Sequence, residues 1–382
     1  MPVEADPFAP VGIRTGALIW RPAVELTGGY DTNPARVTNG NGSPLFTVAP
    51  ELLLRSDWTR HELRADLRGS YTSYTSKSSL DRPFVDAKVA GRIDVSRQSR
   101  IDLESRFLLS TDNPGSPDLQ ADLAKLPIFT TLGASAGGAH RFNRLEIAAK
   151  GNVDRTSYRE STLTDGSTVS NDDRNYGQYG GLLRGSYEIT PGIKPFAEIG
   201  ADARVHDLAV DSSGFRRDSR GVTAKGGSTF ELTPLLTGEA ALGYLTRSYD
   251  DPRLPELGGL LVDASLVWSA SALTDVKFTA RTSIDETRLP GVSGTFRRDV
   301  GLQVNHAFRH WLIGTVKLGY GLDNYRGSER TDERYLASAA LIYKFTRTAQ
   351  IKGEVRQEWL RSTESGNDYS ASIFLLGLRL QR

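Results

Sequence analysis

What most constrains this chain is a two-residue alternation of apolar and polar side chains, in short runs joined by tight turns and long polar loops in succession. Val24, Leu26 and Tyr30 share one parity, and Glu25, Thr27 and Asp31 the other. Val85, Ala87, Val89, Ile93 and Val95 stand opposite Asp86, Lys88, Arg92 and Asp94. A period of two gives extended strands with one wet and one greasy face. Alternating long and short connections give an up-and-down antiparallel meander with two unlike ends. A closed transmembrane barrel meets both conditions, with lipid outside, water inside and no free edge. The expected fold class is therefore all-β, an outer-membrane β-barrel.

Composition narrows the alternatives. The 382 residues carry 47 basic and 46 acidic side chains, a net charge of +1, which gives no electrostatic footprint for nucleic acid. Cysteine is absent, so disulfide frameworks and Cys-ligated metal sites are excluded. Mean hydropathy is −0.37, and no apolar run approaches the ~20 residues of a membrane helix. A barrel has no such need, because only alternate residues of a strand meet lipid. The chain starts MPVEADPFAP, without the basic and apolar regions of a signal peptide, and is expected to be a mature or truncated sequence with an added initiator Met.

Residues 1–16 read as a periplasmic lead-in and residues 17–382 as a single barrel domain. The first strand is predicted from Ala17 to Asp31 and the second from Leu45 to Arg55. Short connections fall at SDWT, SRQS (96–99), RFNR (141–144), TPGI (190–193), LTPL (232–235), SALT (271–274), FRHW (308–311) and FTRT (345–348). Long loops include 110–125, 159–174 and 285–294. This pattern predicts about 18 strands, with both termini on the short-turn side, which is periplasmic in bacterial barrels. Trp20, Trp58, Trp268, Trp311, Phe142 and Phe345 sit near the short turns, and Tyr30, Tyr71, Tyr74, Tyr158, Tyr249 and Tyr325 near the long loops. Two aromatic girdles suit the two membrane interfaces. A water-soluble β-sandwich or solenoid shares the alternation but predicts neither the belts nor the two loop classes.

If the apolar parity faces lipid, the other lines a lumen. The expected lining comprises Glu62, Arg64, Asp66 and Arg68; Asp102, Glu104 and Arg106; Lys194, Glu198, Asp202 and Arg204; Asp275, Lys277 and Arg281; and Lys352, Glu354, Arg356 and Glu358. Acids and bases alternate, which predicts lateral ion-pair ladders with little net field. A single-signed lumen would select one charge of solute; this one suits weak ionic selectivity or a polar passenger such as a sugar polymer. Taken singly, each charge reads as solvating and bracing the wall, because exposed pairs contribute only ~0–1 kcal/mol.

No catalytic constellation emerges, and the expectation is a non-enzyme without a cofactor. His61-Glu62 lacks the second His of a zinc-protease helix. His140, His206, His306 and His310 lack metal-ligand spacing. There is no G-x-S-x-G elbow. Asn171, Asp172 and Asp173 could ligate Ca²⁺ but depart from EF-hand spacing and read as a solvated loop.

Two end segments carry a family resemblance. Gly29-Tyr30-Asp31-Thr32-Asn33-Pro34 resembles the "YDdN" signature that closes the first strand in the putative β-barrel porin 2 group. Gly377-Leu378-Arg379-Leu380-Gln381-Arg382 is similar to that group's terminal strand, and length and turn pattern extend the likeness over the chain. The chain departs from general barrel practice in ending on Arg382. Barrel assembly machinery usually reads a terminal aromatic residue, so Phe374, Leu376, Leu378 and Leu380 would have to serve. The resemblance implies a Gram-negative outer membrane. Some members resemble approximately 18-stranded porins that work beside polysaccharide-export lipoproteins. The first expectation is thus export of an exopolysaccharide with such a partner, the sugar sliding past aromatics such as Phe196 and Tyr325. The alternative is a general diffusion porin for small hydrophilic solutes, with 110–125 or 159–174 folded inward as a constriction. A structural or adhesion barrel with a filled interior comes third, because a barrel of this strand number is wide enough for water.

Overall fold

The alternating runs form strands throughout a computed structural model that describes residues 7–233 and 235–382. Eighteen of them build one closed antiparallel barrel. They are β1 (Leu18–Asp31), β2 (Ser43–Ser56), β3 (Glu62–Tyr74), β4 (Arg82–Asp94), β5 (Ser99–Thr111), β6 (Ile128–Phe142), β7 (Leu145–Tyr158), β8 (Tyr176–Tyr187) and β9 (Ile193–His206). The second half comprises β10 (Ser219–Thr233), β11 (Leu236–Tyr249), β12 (Leu257–Ser271), β13 (Thr274–Asp285), β14 (Gly294–Arg309), β15 (Leu312–Arg326), β16 (Thr331–Lys344), β17 (Ala349–Ser362) and β18 (Tyr369–Gln381). Each pairs with the next in sequence, and β18 pairs with β1 from Ala23↔Gln381 to Asp31↔Ile373, which removes both edges.

One parity places Phe46, Val48, Val89, Ile93, Leu103, Leu132, Leu242, Val316 and Leu376 on the outside, all exposed. Apolar surface on this scale needs an apolar solvent, and a lipid belt supplies it. Strands of 12 to 16 residues exceed the ~9–11 that span lipid, so their ends project beyond it. Trp58, Phe142, Trp268, Trp311 and Phe345 are exposed at the short-turn end, and Tyr30 and Tyr71 at the other. Tyr74, Tyr158, Tyr249 and Tyr325 leave the expected girdle. Tyr74 and Tyr325 are buried on the inward parity, where their hydroxyls engage Arg82 and Asp332; Tyr158 faces the lumen under Arg174, and Tyr249 packs on Leu245, Leu257, Leu261 and Phe296. The two loop classes are also less strict than the sequence suggests, since β15 and β16 are joined by only 327–330 at the long-loop end.

Residues 1–6 of the N-terminal lead-in lie outside the described residues. Ile13–Thr15 turns back to pair with Leu18–Trp20. It covers the part of β1 that β18 does not reach, a stretch that would otherwise present unpaired backbone groups. Among the described residues, no helix is long and apolar enough to cross a membrane.

Candidate functional site

The inward parity is polar because each strand alternates, and closing the sheet gathers those faces around one lumen. Ion pairs run along strands and across them. Along single strands, Arg64 pairs with Glu62, Arg100 with Asp102 at 3.3 Å, and Glu354 with both Lys352 (2.6 Å) and Arg356 (2.7 Å). Across neighbours, Asp66 takes Arg55, Arg68 takes Glu51, and Lys88 reaches Glu104 at 2.8 Å. Glu198 lies between Arg184 (3.6 Å) and Lys225 (3.4 Å). Arg204 reaches Glu286, and Glu358 accepts from Arg36 at 2.9 Å. Among the described residues Lys194, Lys277 and Arg281 stand apart from these pairs, and Asp275 accepts the Ser269 hydroxyl at 2.7 Å.

Some pairs join strands that are not neighbours, and in three of them a glycine lies at the crossing. Arg106, Gly133 and Asp154 are register partners on β5, β6 and β7, and Arg106 meets Asp154 at 2.6 Å over the glycine. Asp202, Gly221 and Arg247 repeat this on β9, β10 and β11. Asp299, Gly321 and Arg334 repeat it on β14, β15 and β16, with Arg334 and Asp299 2.7 Å apart. A Cβ on Gly321 would stand 2.5 Å from the Arg334 Nη2 and 2.8 Å from the Asp299 Oδ1. Sequence reasoning missed these triplets. Their signal, an inward glycine between opposite charges, exists only once the register of three strands is known.

The lumen is not polar all round. Leu45, Tyr74 and Ile373 form a buried cluster with Leu375 at the long-loop end of the seam. Phe196 and Tyr325, expected as open platforms for a sugar, are covered. Arg184 lies 3.5 Å from the Phe196 ring centroid and Arg330 5.1 Å from that of Tyr325.

The family-like segment near the start anchors the seam. Asp31 accepts the backbone N–H of Asn33 at 2.9 Å and two bonds from Arg36 Nη1, at 2.8 and 3.1 Å. Asn33 donates to the carbonyls of Val37 (2.7 Å) and Ser370 (3.1 Å), tying the β1–β2 loop to β18. Burial alone would lower the Arg36 pKa, but the carboxylates of Glu358 and Asp31 outweigh it and raise it. The guanidinium is therefore permanently charged, and removing one partner of so buried a pair costs about 3–5 kcal/mol.

Above this anchor, the β5–β6 loop crosses the lumen. At its root, Arg174 forks onto Asp112 at 2.7 and 3.1 Å and stacks on Tyr158. Gly115, at φ +73°, passes so close over Arg36 that a Cβ would stand 2.5 Å from its carbonyl oxygen. Farther on, Asp118 accepts the Thr287 hydroxyl at 2.6 Å and the Arg288 N–H at 2.8 Å, both from the β13–β14 loop. The β13–β14 loop also folds inward, held by Arg217, which donates to the carbonyls of Val292 and Leu289. Beneath the crossing lies a cavity of about 1060 Å³, lined by 110–118 on one side and by Arg297, Asp299, Asp323 and Arg334 on another. Of the two candidate constrictions, 110–125 supplies the crossing. The 159–174 loop adds a small hairpin, Ser161–Thr162 with Thr168–Val169, and brings Asp173 and Arg174 to the cavity.

No group of three His, Cys, Asp or Glu side chains able to hold a metal occurs among the described residues. The Asn171 side-chain amide N–H groups donate to the Arg159 carbonyl and the Ser161 hydroxyl, and Asp172 accepts from Asn175. The histidines are dispersed. His140 contacts Ser99, His206 contacts Asp218 and His306 contacts Thr274.

The family model for putative β-barrel porin 2 matches residues 6–382. The chain belongs to the putative β-barrel porin 2 family. This porin is thus an outer-membrane barrel of the Gram-negative type. Among solved structures it is similar to the copper transporter OprC, with 10% identity, 97% of this chain and 82% of that one covered, and a TM-score of 0.51. OccK1 (OpdK) of Pseudomonas aeruginosa shares 12% identity over 95% of this porin and 99% of its own chain, with a TM-score of 0.45. The ferric citrate transporter FecA shares 10% identity at a TM-score of 0.44, and this porin spans 60% of its length. At such identities the likeness concerns the fold. No curated protein matches the sequence.

Proposed function

We propose that this porin is a gated export channel for an exopolysaccharide, working with a polysaccharide-export lipoprotein on its periplasmic side. The observation that carries the reading is the latched mouth. The β5–β6 loop rests on Arg36 and is tied to Thr287 and Arg288, so movement of that loop would widen the outlet. An exporter must be sealed between strands of polymer, and a strand driven from the periplasm supplies the force to part the loop. The wall below suits a hydroxyl-rich chain, because paired acids and bases offer donors and acceptors with little net field. Eighteen strands leave room for an aqueous path. In this reading both termini face the periplasm, the assembly machinery inserts the barrel through its last strand, and the channel carries its cargo without altering it.

A second reading is a diffusion porin for small hydrophilic solutes. The inward fold of 110–118 favours it, since a loop narrowing the lumen is what sieves by size. A clean deletion strain with complementation separates the two. Lost surface polymer with unchanged uptake of small sugars and amino acids is the result expected for export. Normal polymer with slowed uptake would replace that reading with the diffusion porin.

A further inference from the structure

The lumen wall is charge-paired over most of its circumference, and lysines follow the rule where an acid lies in reach. Lys88 has Glu104 at 2.8 Å, Lys225 has Asp263 at 2.7 Å and Lys352 has Glu354 at 2.6 Å. Among the described residues Lys150 and Lys194 stand singly outside the rule, but on β13–β15 two lysines without an acid fall in one row. Lys277, Gln303 and Lys317 are successive register partners on three adjacent strands, and the row continues to Val267 on one side and Ser338 on the other. All the in-register neighbours of the two lysines are neutral. Both lysines are exposed, and they lie on the inward parity shared with Arg297, Asp299 and Asp323. Two strand spacings separate them, roughly 10 Å between backbones, which side chains of this length can close onto one small group. The nearest acid on β13, Asp275, is engaged by Ser269. Arg281 adds a third positive charge on the same strand, while its register neighbours Asp263 and Asp299 are engaged by Lys225 and Arg334.

We infer that Lys277, Gln303 and Lys317 form an anion-binding step inside the lumen, and that the cargo carries anionic groups, such as the carboxylate of a sugar acid or a phosphate substituent. Two ammonium groups facing water in a confined, low-dielectric wall raise the local concentration of anions. Gln303 donates one amide N–H to Asn305 at 3.0 Å and has its second to offer between them. Because acids and bases pair over most of the rest of the wall, the step attracts an anionic group without trapping a whole chain, as passage requires. The inference deepens the channel reading but does not depend on the direction of transport.

The test is single-channel recording of the purified full-length barrel in a planar bilayer under a salt gradient. It is run in the wild-type barrel and in an Asp118→Asn background, so that a latched mouth still yields current. The wild-type pore is expected to prefer anions, and the double variant K277Q/K317Q to lower the anion-to-cation permeability ratio roughly twofold or more. Oligogalacturonate and inorganic phosphate are the anionic probes, and a maltooligosaccharide is the neutral one. Block by either anion, lost in K277Q/K317Q, supports the step and tells a sugar acid from a phosphate. K150Q removes an inward lysine from another strand and should change neither readout. Equal effects of K150Q and the double variant, equal block by the neutral sugar, or no block by either anion would overturn the inference. Calorimetric titration of the same probes into the detergent-solubilised barrel gives a reading even if no pore conducts, and absence of heat with both anions would likewise overturn it. If the deletion strain keeps its polymer while anion block persists, only the export reading fails.

Discussion

The Thr287 hydroxyl donates to the Asp118 carboxylate at 2.6 Å, although the two residues stand 169 positions apart and belong to the β13–β14 and β5–β6 loops. With the Arg288 N–H on the same carboxylate, this contact fastens a loop from one wall of the barrel to the far side. A hydrogen bond to a charged group contributes about 1.5–3 kcal/mol. Substituting Asp118 by Ala should therefore raise the open population roughly tenfold or more. Conductance and small-sugar entry into liposomes should increase, while heat-modifiable migration stays normal because no strand pairing is lost. Unchanged conductance would remove the latch from the account of gating.

The seam between β1 and β18 gives a sharper test at two adjacent glycines. A Cβ at Gly28 meets nothing within 4 Å, whereas one at Gly29 would overlap the carbonyl of Phe374. Because that obstacle is backbone, it cannot rotate away as a side-chain tip can. Gly28→Ala should assemble normally. Gly29→Ala should lower the yield of folded, heat-modifiable barrel by distorting the closing ladder. Equal yields would contradict the seam geometry.

The facing of β4 can be tested by charge. Val89 is 43% exposed at the middle of the strand, with Lys88 beside it on the inward parity. Val89→Arg should cost about 2–4 kcal/mol at mid-depth in lipid and impair insertion. Lys88→Gln removes an ion pair with 49% of the lysine exposed and should barely affect folding. Measured unfolding midpoints in lipid vesicles should separate the two, and normal assembly of Val89→Arg would reverse the assignment.

One loop contact has a defined response to acid. Asp251, between β11 and β12, accepts from the Arg253 side chain at 2.9 and 2.7 Å and from the Arg216 N–H at 3.0 Å, and these bonds hold its pKa well below the usual carboxylate range. A depressed pKa stabilises the folded loops above the unfolded value near 3.9, and that contribution disappears as pH falls through the lower, folded value. The junction of the β9–β10 and β11–β12 loops should stay resistant to proteolysis from pH 7 to about 4. Asp251→Asn should expose it at every pH. Cleavage of the wild-type loops already at pH 5 would refute the assignment.

The sequence by itself determined the barrel. Alternation at Val85–Asp94, tight turns alternating with mostly longer connections, and no apolar helical run admit few other folds, because side-chain period and connection length are local properties. It also separated the charged parity of each strand from the apolar one, since parity within one strand is local. Only the tertiary structure decided who pairs with whom. Asp202 meets Arg247 across Gly221 because three strands adopt one register, and register depends on the whole closed sheet. The same holds at the mouth. The sequence offered 110–125 and 159–174 as equal candidates for a constriction, both long and acid-leaning. Asp118 reaches Thr287 only because barrel closure brings the far wall opposite, and Gly115 fits over Arg36 only because the seam places that loop beneath it. Contacts across a lumen are set by circumference and register, which no single strand encodes.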